Sequence, residues 1–377
     1  MIYLDNAATT LKKPEAVYKK FMSTWRSCGA NAGRGGHRLA LAASMKVYEA
    51  ASTIAQLFKI DNPENIAFSY NATMALNMAI KGVVSEEDHA VITSLEHNSV
   101  YRPVAASGCM YTIVSCDENY DITAKAIEGA IRPNTKLIAV NHASNVCKTV
   151  CDIEKIGRIA KKHGCLFLVD SAQSGGVLDI DVEMMNIDLL AFAGHKALFG
   201  PQGTGGLYVK ENVKLKTIIE GGSGANSLDV SQPAQMPEHL SAGTVNTPGI
   251  AALGEGVKFV LKEGTKAIFA HENMLANRFC AAAGNMDNVK LYTENQQGCG
   301  VVSININGLD PVSAAEILDK RYYIAVRSGY HCSPLCHRML NTVDTGGTIR
   351  FSFGYFNTKA ETDRAIDAVY KISKSVN

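Results

Sequence analysis

Six short, continuous apolar runs constrain the fold more than any other feature of the sequence: NIAFS at 65–69, AVITS at 90–94, KLIAV at 136–140, CLFLVD at 165–170, DLLAFA at 188–193 and GGLYV at 205–209. None alternates polar with apolar residues, so each is expected to be a strand buried on both faces. Helical patterns lie between them, among them ATMALNMAIKG and DIEKIGRIAKKHG. The second opens on Asp152 as an N-cap and closes on Gly164. Strands alternating with helices predict an α/β fold built on a large, mainly parallel sheet.

After residue 247 the pattern changes. A helical region over about 248–284 leads into a smaller C-terminal α+β unit. Its predicted strands are CGVVSININ, YIAVR and GGTIRFSF, with helices at 311–321 and 358–373; Thr358 and Glu361 stand in capping-box spacing at the start of the last. With 377 residues, 46% of them hydrophobic, the chain can build two cores. The expected division is a large domain over 15–255 and a small domain over 256–377, with residues 1–14 as an arm joining the small one. There is no internal repeat, low-complexity tract or long linker, so the domains should pack closely around a cleft.

Lys and Arg total 37 against 36 Asp and Glu, a net charge of +1. That balance gives no footprint for nucleic acid or an anionic membrane, and favours a small uncharged or zwitterionic substrate. Met1 runs directly into YLDNAATT without a signal-peptide pattern, and no apolar run approaches the ~18 residues of a membrane span. A cytoplasmic protein is expected. Its ten cysteines would then be mostly reduced, with Cys28, Cys165 and Cys280 read as packing. Cys332 and Cys336 stand apart from these.

Lys196 lies in AFAGHKALFGPQGTGG, residues 191–206, among small and apolar residues. A lysine there either reaches solvent, is paired, or serves as an amine nucleophile of lowered pKa. Asp170 closes one predicted strand 196 − 170 = 26 residues earlier, one crossover unit away. The two can pair with each other, or face a common ligand outside the carboxyl ends of the strands. Asn71, Ala72 and Thr73 sit at a strand-to-helix turn, where they form a simple cap or hold a phosphate. An amine, a carboxylate and a phosphate cradle together are what pyridoxal 5'-phosphate requires.

The order and spacing of YLDNAATT, NAGRGGH (31–37), LEHNSV (95–100), SNV (144–146), VDSAQ (169–173), GHK (194–196), AGTVNT (242–247), VRSGYHC (326–332) and IRFSFGYFNT (349–358) resemble one family nearly end to end. This is the cysteine desulfurase and selenocysteine lyase family, within the class V aminotransferases of the pyridoxal phosphate type I fold. The resemblance implies that Lys196 carries the cofactor as an imine, which would let it sit neutral in its apolar setting, and then moves the Cα proton. Asp170 would pair with the pyridine nitrogen, His97 stack on the ring, Gln173 bond its phenolic oxygen with Asn145 nearby, and Thr73 and His195 hold the phosphate. Thr244 matches a threonine that reaches the phosphate across a subunit interface, which implies a homodimer. Two positions depart from the family pattern: Ala193 stands where a hydroxyl-bearing phosphate ligand is common, and Ser241 where an acidic residue is usual.

The segment VRSGYHCSPLCHR, residues 326–338, supplies Cys332 as the expected nucleophile, with His331 and Arg327 expected to favour its thiolate. Arg350 matches the arginine that receives the substrate carboxylate, where Asn145 and Arg327 would assist. A competing reading makes His331, Cys332, Cys336 and His337 zinc ligands, although the spacing fits no usual structural site. Cys336 is alternatively a resolving thiol able to form a disulfide with Cys332, or simple packing. The implied reaction converts L-cysteine to L-alanine and leaves the sulfur on Cys332 as a persulfide, for transfer to a sulfur-acceptor protein. L-selenocysteine as substrate, or another class V lyase or aminotransferase reaction, is the alternative. Iron–sulfur cluster assembly, modified tRNA and selenium metabolism are all downstream uses the resemblance allows. A scaffold without catalysis has no need of Lys196, Asp170, His97 and Arg350 together.

Overall fold

The computed structural model describes residues 1–33, 35–117, 119, 121–225, 227–292 and 298–376. β1 (Ile2–Tyr3) belongs to the N-terminal arm. Seven strands follow: β2 (Ile66–Ser69), β3 (His89–Thr93), β4 (Met110–Val114), β5 (Thr135–Asn141), β6 (Leu166–Asp170), β7 (Leu189–Ala193) and β8 (Gly205–Val209). They form one sheet in the order β2-β8-β7-β6-β5-β3-β4, in which only β8 runs against its neighbours. All six predicted runs are strands of this sheet. β4 shows no such run because it is an edge strand whose Met110 is exposed and whose apolar residues are interrupted by Thr112.

Why the runs are apolar throughout follows from the two cores they serve. Ile138 and Val140 of β5 and Phe167 and Val169 of β6 face one core, shared with Phe58. Leu137, Ala139 and Leu168 face the other, shared with Leu76. Successive side chains of a strand point to opposite faces, so a strand covered on both sides has no polar position to spare. The covering helices are α1 (Glu15–Ser27), α2 (Arg38–Phe58), α3 (Ala72–Val83), α4 (Asn98–Ala106), α5 (Ala124–Gly129) and α6 (Ile153–Lys162). Asp152 caps α6 by accepting from Lys155 N–H, and Gly164 just beyond its end adopts φ +67°.

The predicted helical region over 248–284 is two helices, α7 (Thr247–Glu263) and α8 (Thr265–Ala283), broken at Gly264 with φ +84°. A four-stranded antiparallel sheet follows, in the order β12-β13-β10-β9: β9 (Val289–Tyr292), β10 (Val301–Ile306), β12 (Arg327–Gly329) and β13 (Thr348–Ser352). YIAVR, expected as one strand, is split. Its first part, β11 (Ile324–Ala325), pairs in parallel with β1, whereas Arg327 pairs with Arg350 in the other sheet. A strand supplied from the far end of the chain leaves no local signal, which is why the break was not foreseen. α9 (Pro311–Tyr322), α10 (Pro334–Met339) and α11 (Lys359–Ser375) complete this part, and α11 begins with the expected capping box of Thr358 and Glu361. Leu4 of the arm is buried in the third core with Phe279, Ile304, Phe351 and Val369. Among the described residues, no helix is long and apolar enough to cross a membrane.

Candidate active site

Parallel strands deliver their last residues to one edge of the sheet, and a cleft of about 450 Å³ lies there. Asp170 ends β6, Asn71 links β2 to α3, and Lys196 lies in the loop between β7 and β8. Because β8 returns antiparallel beside β7, that loop stays at the carboxyl edge instead of crossing the sheet. Asp170, Lys196, Asn71, Ala72, Thr73, His97, Asn145, Gln173 and His195 all line the cleft.

Asp170 is buried, and its carboxylate accepts the Ala172 N–H at 2.9 Å. Burial raises its pKa, opposed by that hydrogen bond and by Lys196. Burial lowers the Lys196 amine to about 8; Asp170 pulls it up, while Arg350 and Arg327 push it further down. Asp170 and Lys196 are not within ion-pair distance of each other, so they face one cleft as separate groups and the pairing considered from sequence is not formed.

At the α3 end, the Asn71 side chain accepts from Met74 N–H at 2.9 Å, which fixes the turn. Thr73 Oγ1 lies 2.7 Å from Ser99 Oγ, and Ser99 N–H donates to His97 Nδ1 at 3.0 Å. With Nδ1 accepting a backbone hydrogen, the neutral His97 ring carries its proton on Nε2. Burial, with Lys196 and three arginines adding to it, brings the His97 pKa down to about 4, so the ring is uncharged at neutral pH. His195 is likewise lowered to about 4, chiefly by burial, and its Nδ1 is buried without a partner among the described residues. Gln173 Nε2 donates to Ala7 O at 2.9 Å.

Asn145, from the loop after β5, joins the cleft to the second sheet and its loops. Asn145 Nδ2 donates to His331 O at 2.7 Å, and its Oδ1 accepts from Ser333 Oγ at 2.8 Å. Arg350 is 1% exposed; its Nη1 donates to Asn145 O at 3.1 Å and its Nη2 to Asp5 at 2.6 Å. Cys332 is half-buried, with Arg327 Nη2 3.4 Å from its sulfur. His331 and Cys332 have φ +49° and +60°, a left-handed backbone that non-glycine residues adopt at a cost of about 1–3 kcal/mol each. Asn98 N–H donates to Cys332 O at 2.7 Å and helps to hold this turn against α4.

Several expectations need correction. His331 does not face the thiol: its Nε2 lies 3.0 Å from Thr348 Oγ1, and burial drives its pKa far down, so it is a neutral core ring and no source of positive charge. Cys336 is fully buried and hydrogen-bonds the Cys147 thiol, which with burial keeps it protonated; it is not placed as a resolving thiol for Cys332. His337 Nδ1 is bonded to Thr342. Among the described residues, no group of three or more His, Cys, Asp or Glu can hold a metal ion. Cys28 is half-buried, not core. Thr244, whose expected place is at the phosphate of a second copy, lies outside this chain's own cleft lining and accepts from Asn31 Nδ2 at 3.2 Å, which leaves that expectation standing. Ala193 does line the cleft and brings no hydroxyl.

Sequence reasoning missed Ser99 and Asn141, which line the cleft, and Asp5, which pairs with Arg350, although Ser99 lies within LEHNSV and Asp5 within YLDNAATT. It also missed Glu96, a fully buried carboxyl raised to about 8 by desolvation, which accepts from Thr93 Oγ1 at 2.7 Å and from Asn141 N–H at 3.0 Å.

A lysine, an aspartate and a helix-capped turn around one cleft at the carboxyl edge of such a sheet place the chain in a defined class. The chain belongs to the aminotransferase class-V family, whose model matches residues 2–365. Among curated proteins it is 35% identical to a probable cysteine desulfurase of Methanothermobacter thermautotrophicus, covering 96% of this chain and 92% of that one. A probable cysteine desulfurase of Pyrococcus abyssi is 31% identical, with 100% and 95% covered. Among solved structures, an apo cysteine desulfurase of Thermococcus onnurineus NA1 superposes with a TM-score of 0.91 at 32% identity, over 99% of this chain and 95% of that one. The fold is therefore that of the pyridoxal phosphate type I enzymes.

Proposed function

We propose that the protein is a cysteine desulfurase that uses pyridoxal 5'-phosphate to convert L-cysteine into L-alanine and captures the sulfur on Cys332. The observation that carries this reading is the half-buried Cys332 thiol beside Arg327, whose guanidinium lies near enough to the cleft to lower the pKa of both Lys196 and His97.

The residues present fit the cofactor. Asp170 is a buried carboxylate without a cationic partner in ion-pair contact, suited to a protonated pyridine nitrogen. The α3 N-terminus, Thr73 and the unpartnered His195 Nδ1 offer donors for a phosphate. The uncharged His97 ring can stack without repelling a cationic pyridine. Gln173 and Asn145 line the remaining edge. When bound, the cofactor supplies an electron sink for the carbanion at the substrate Cα.

The chain's own groups divide the rest of the work. Arg350 receives the substrate carboxylate, with Asn145 and Arg327 beside it, and so orients the Cα–H bond. Lys196, with its lowered pKa, takes the Cα proton near neutral pH and returns it later. Cys332 attacks the substrate sulfur as thiolate. An S–S bond forms to Cys332, the Cβ–S bond breaks with its electron pair moving to carbon, and protonation releases alanine. Arg327, directed at the Cys332 sulfur, is placed to hydrogen-bond the anion before attack. The persulfide then passes to an acceptor protein. Thr244, exposed and outside the cleft, is suited to complete the phosphate site of a second copy, so the enzyme works as a homodimer.

Visible absorption of the purified protein and alanine release from L-cysteine test this reading. Wild type should be yellow and form alanine; Cys332→Ala should keep its colour and lose alanine formation. Unchanged alanine formation in that variant means that the sulfur leaves at the zero-valent level to another acceptor, and removes Cys332 from the scheme.

A further inference from the structure

Asp5 enters the site from the N-terminal arm and takes no part in the scheme above. It forms an isolated bridge to Ser352, and its carboxylate accepts from Arg350 Nη2 at 2.6 Å. The backbone around it is pinned on both sides. Ser352 N–H donates to Leu4 O at 2.7 Å, Ala7 N–H donates to Ser352 Oγ at 3.0 Å, and Ser352 Oγ donates to Leu4 O at 3.2 Å. Arg350 is 1% exposed and the Asp5 side chain 21%, so the pair sits in a setting where neither charge is well solvated.

Arg350 also faces a difficulty that Asp5 resolves. Its partner across the sheet is Arg327, directly in register, and two facing cations repel. Arg350 would turn away from Arg327 unless something held it. Asp5 and Asn145 O take one donor each from Nη2 and Nη1, which fixes the guanidinium plane. Nε has no partner among the described residues, and the second hydrogens of Nη1 and Nη2 remain for a ligand. A guanidinium selects a carboxylate only when its fork is held in a fixed plane.

We propose that Asp5 is a positioning residue for the substrate: by clamping Arg350 it sets the geometry of the α-carboxylate subsite, and the arm thereby confers the requirement for an amino acid over a simple amine. This rests on the reading of Arg350 as the carboxylate receptor. It differs from a second role open to a counter-ion, in which Asp5 merely neutralises Arg350 until substrate displaces it. In that case removing the charge would tighten carboxylate binding.

The test is a visible-absorption titration of the holoenzyme with L-alanine, which carries the carboxylate, and with ethylamine, which lacks it. Wild type should bind L-alanine much more tightly than ethylamine. Asp5→Asn keeps the shape and removes the charge; it should weaken L-alanine by roughly tenfold, leave ethylamine unchanged, and lower the melting temperature because Arg350 loses its counter-ion. Asp5→Glu should recover part of the loss. Ser352→Ala, which loosens the arm and spares the carboxylate, should lower the melting temperature and keep the L-alanine to ethylamine ratio. Unchanged or tighter L-alanine binding in Asp5→Asn overturns the proposal, as does an equal loss of discrimination in Ser352→Ala. A wild type that does not separate the two ligands sinks the Arg350 reading itself, a result distinct from any failure at Asp5.

Discussion

The two walls of the proposed site, the cleft that holds Lys196 and the segment beside it that bears Cys332, are built in different ways. The Lys196 wall is made by strand ends of a single sheet: Asp170 and the loop after β7 are placed by parallel strands whose neighbours are buried on both faces. The Cys332 wall is assembled from three distant stretches: Asp5 from the arm, Asn145 from the loop after β5, and residues 327–350 from the second sheet. The first wall inherits its geometry from a packed core. The second draws on the third core only through the residues flanking Asp5 and Arg350, Leu4 and Phe351, and adds polar contacts and a left-handed turn at His331 and Cys332. A site that must hold a cofactor firmly and also deliver a thiol to a substrate benefits from this division, because the sulfur-bearing segment can be adjusted without disturbing the sheet.

Loss of Lys196 from the first wall should have the largest effect. Lys196→Met should abolish alanine formation, a loss of at least about 10³-fold, together with the imine absorption. It should also stabilise the cofactor-free protein. The amine has a pKa of about 8 in the folded chain against an ordinary 10.5, so between those values the unfolded chain binds more protons and wild-type stability rises with pH. The advantage of Lys196→Met in melting temperature should therefore be greatest below pH 8 and shrink towards pH 10.5. A pH-independent advantage would contradict a buried, depressed amine. On the second wall, Arg327→Gln should slow alanine formation by about tenfold while leaving the cofactor spectrum as it is. A bleached spectrum would show that the walls are not separable. The smallest effect is expected from Ala193→Ser, which restores a hydroxyl at the phosphate end. It should tighten cofactor binding by about fivefold, the value of ~1 kcal/mol for one hydrogen bond, measured by titrating apoprotein with cofactor.

The same contrast governs what could be read from the sequence. Asp170, Lys196 and Asn71–Thr73 were legible because a two-sided parallel strand announces itself locally, and its end fixes where the next residue points. β4 was hidden by its exposed edge position. On the other wall, local pattern misled: YIAVR is one apolar run, yet pairing with β1 and with β13 divides it between two sheets. His331 and Cys336 stand next to Cys332 in sequence, but the left-handed turn sends one ring to Thr348 and α10 carries the other thiol to Cys147. Asp5 and Arg350 are 345 residues apart, and nothing in either neighbourhood indicates the other. Contacts of that separation become visible only once the arm is folded.

The central claim is that Cys332 receives the sulfur. Intact-peptide mass spectrometry of the holoenzyme after brief exposure to L-cysteine, with thiols alkylated under non-reducing conditions, tests it most directly. The peptide carrying Cys332 should gain the mass of one sulfur atom, in proportion to the alanine formed and reversibly with a thiol reductant. An unmodified Cys332 peptide alongside alanine would contradict the account.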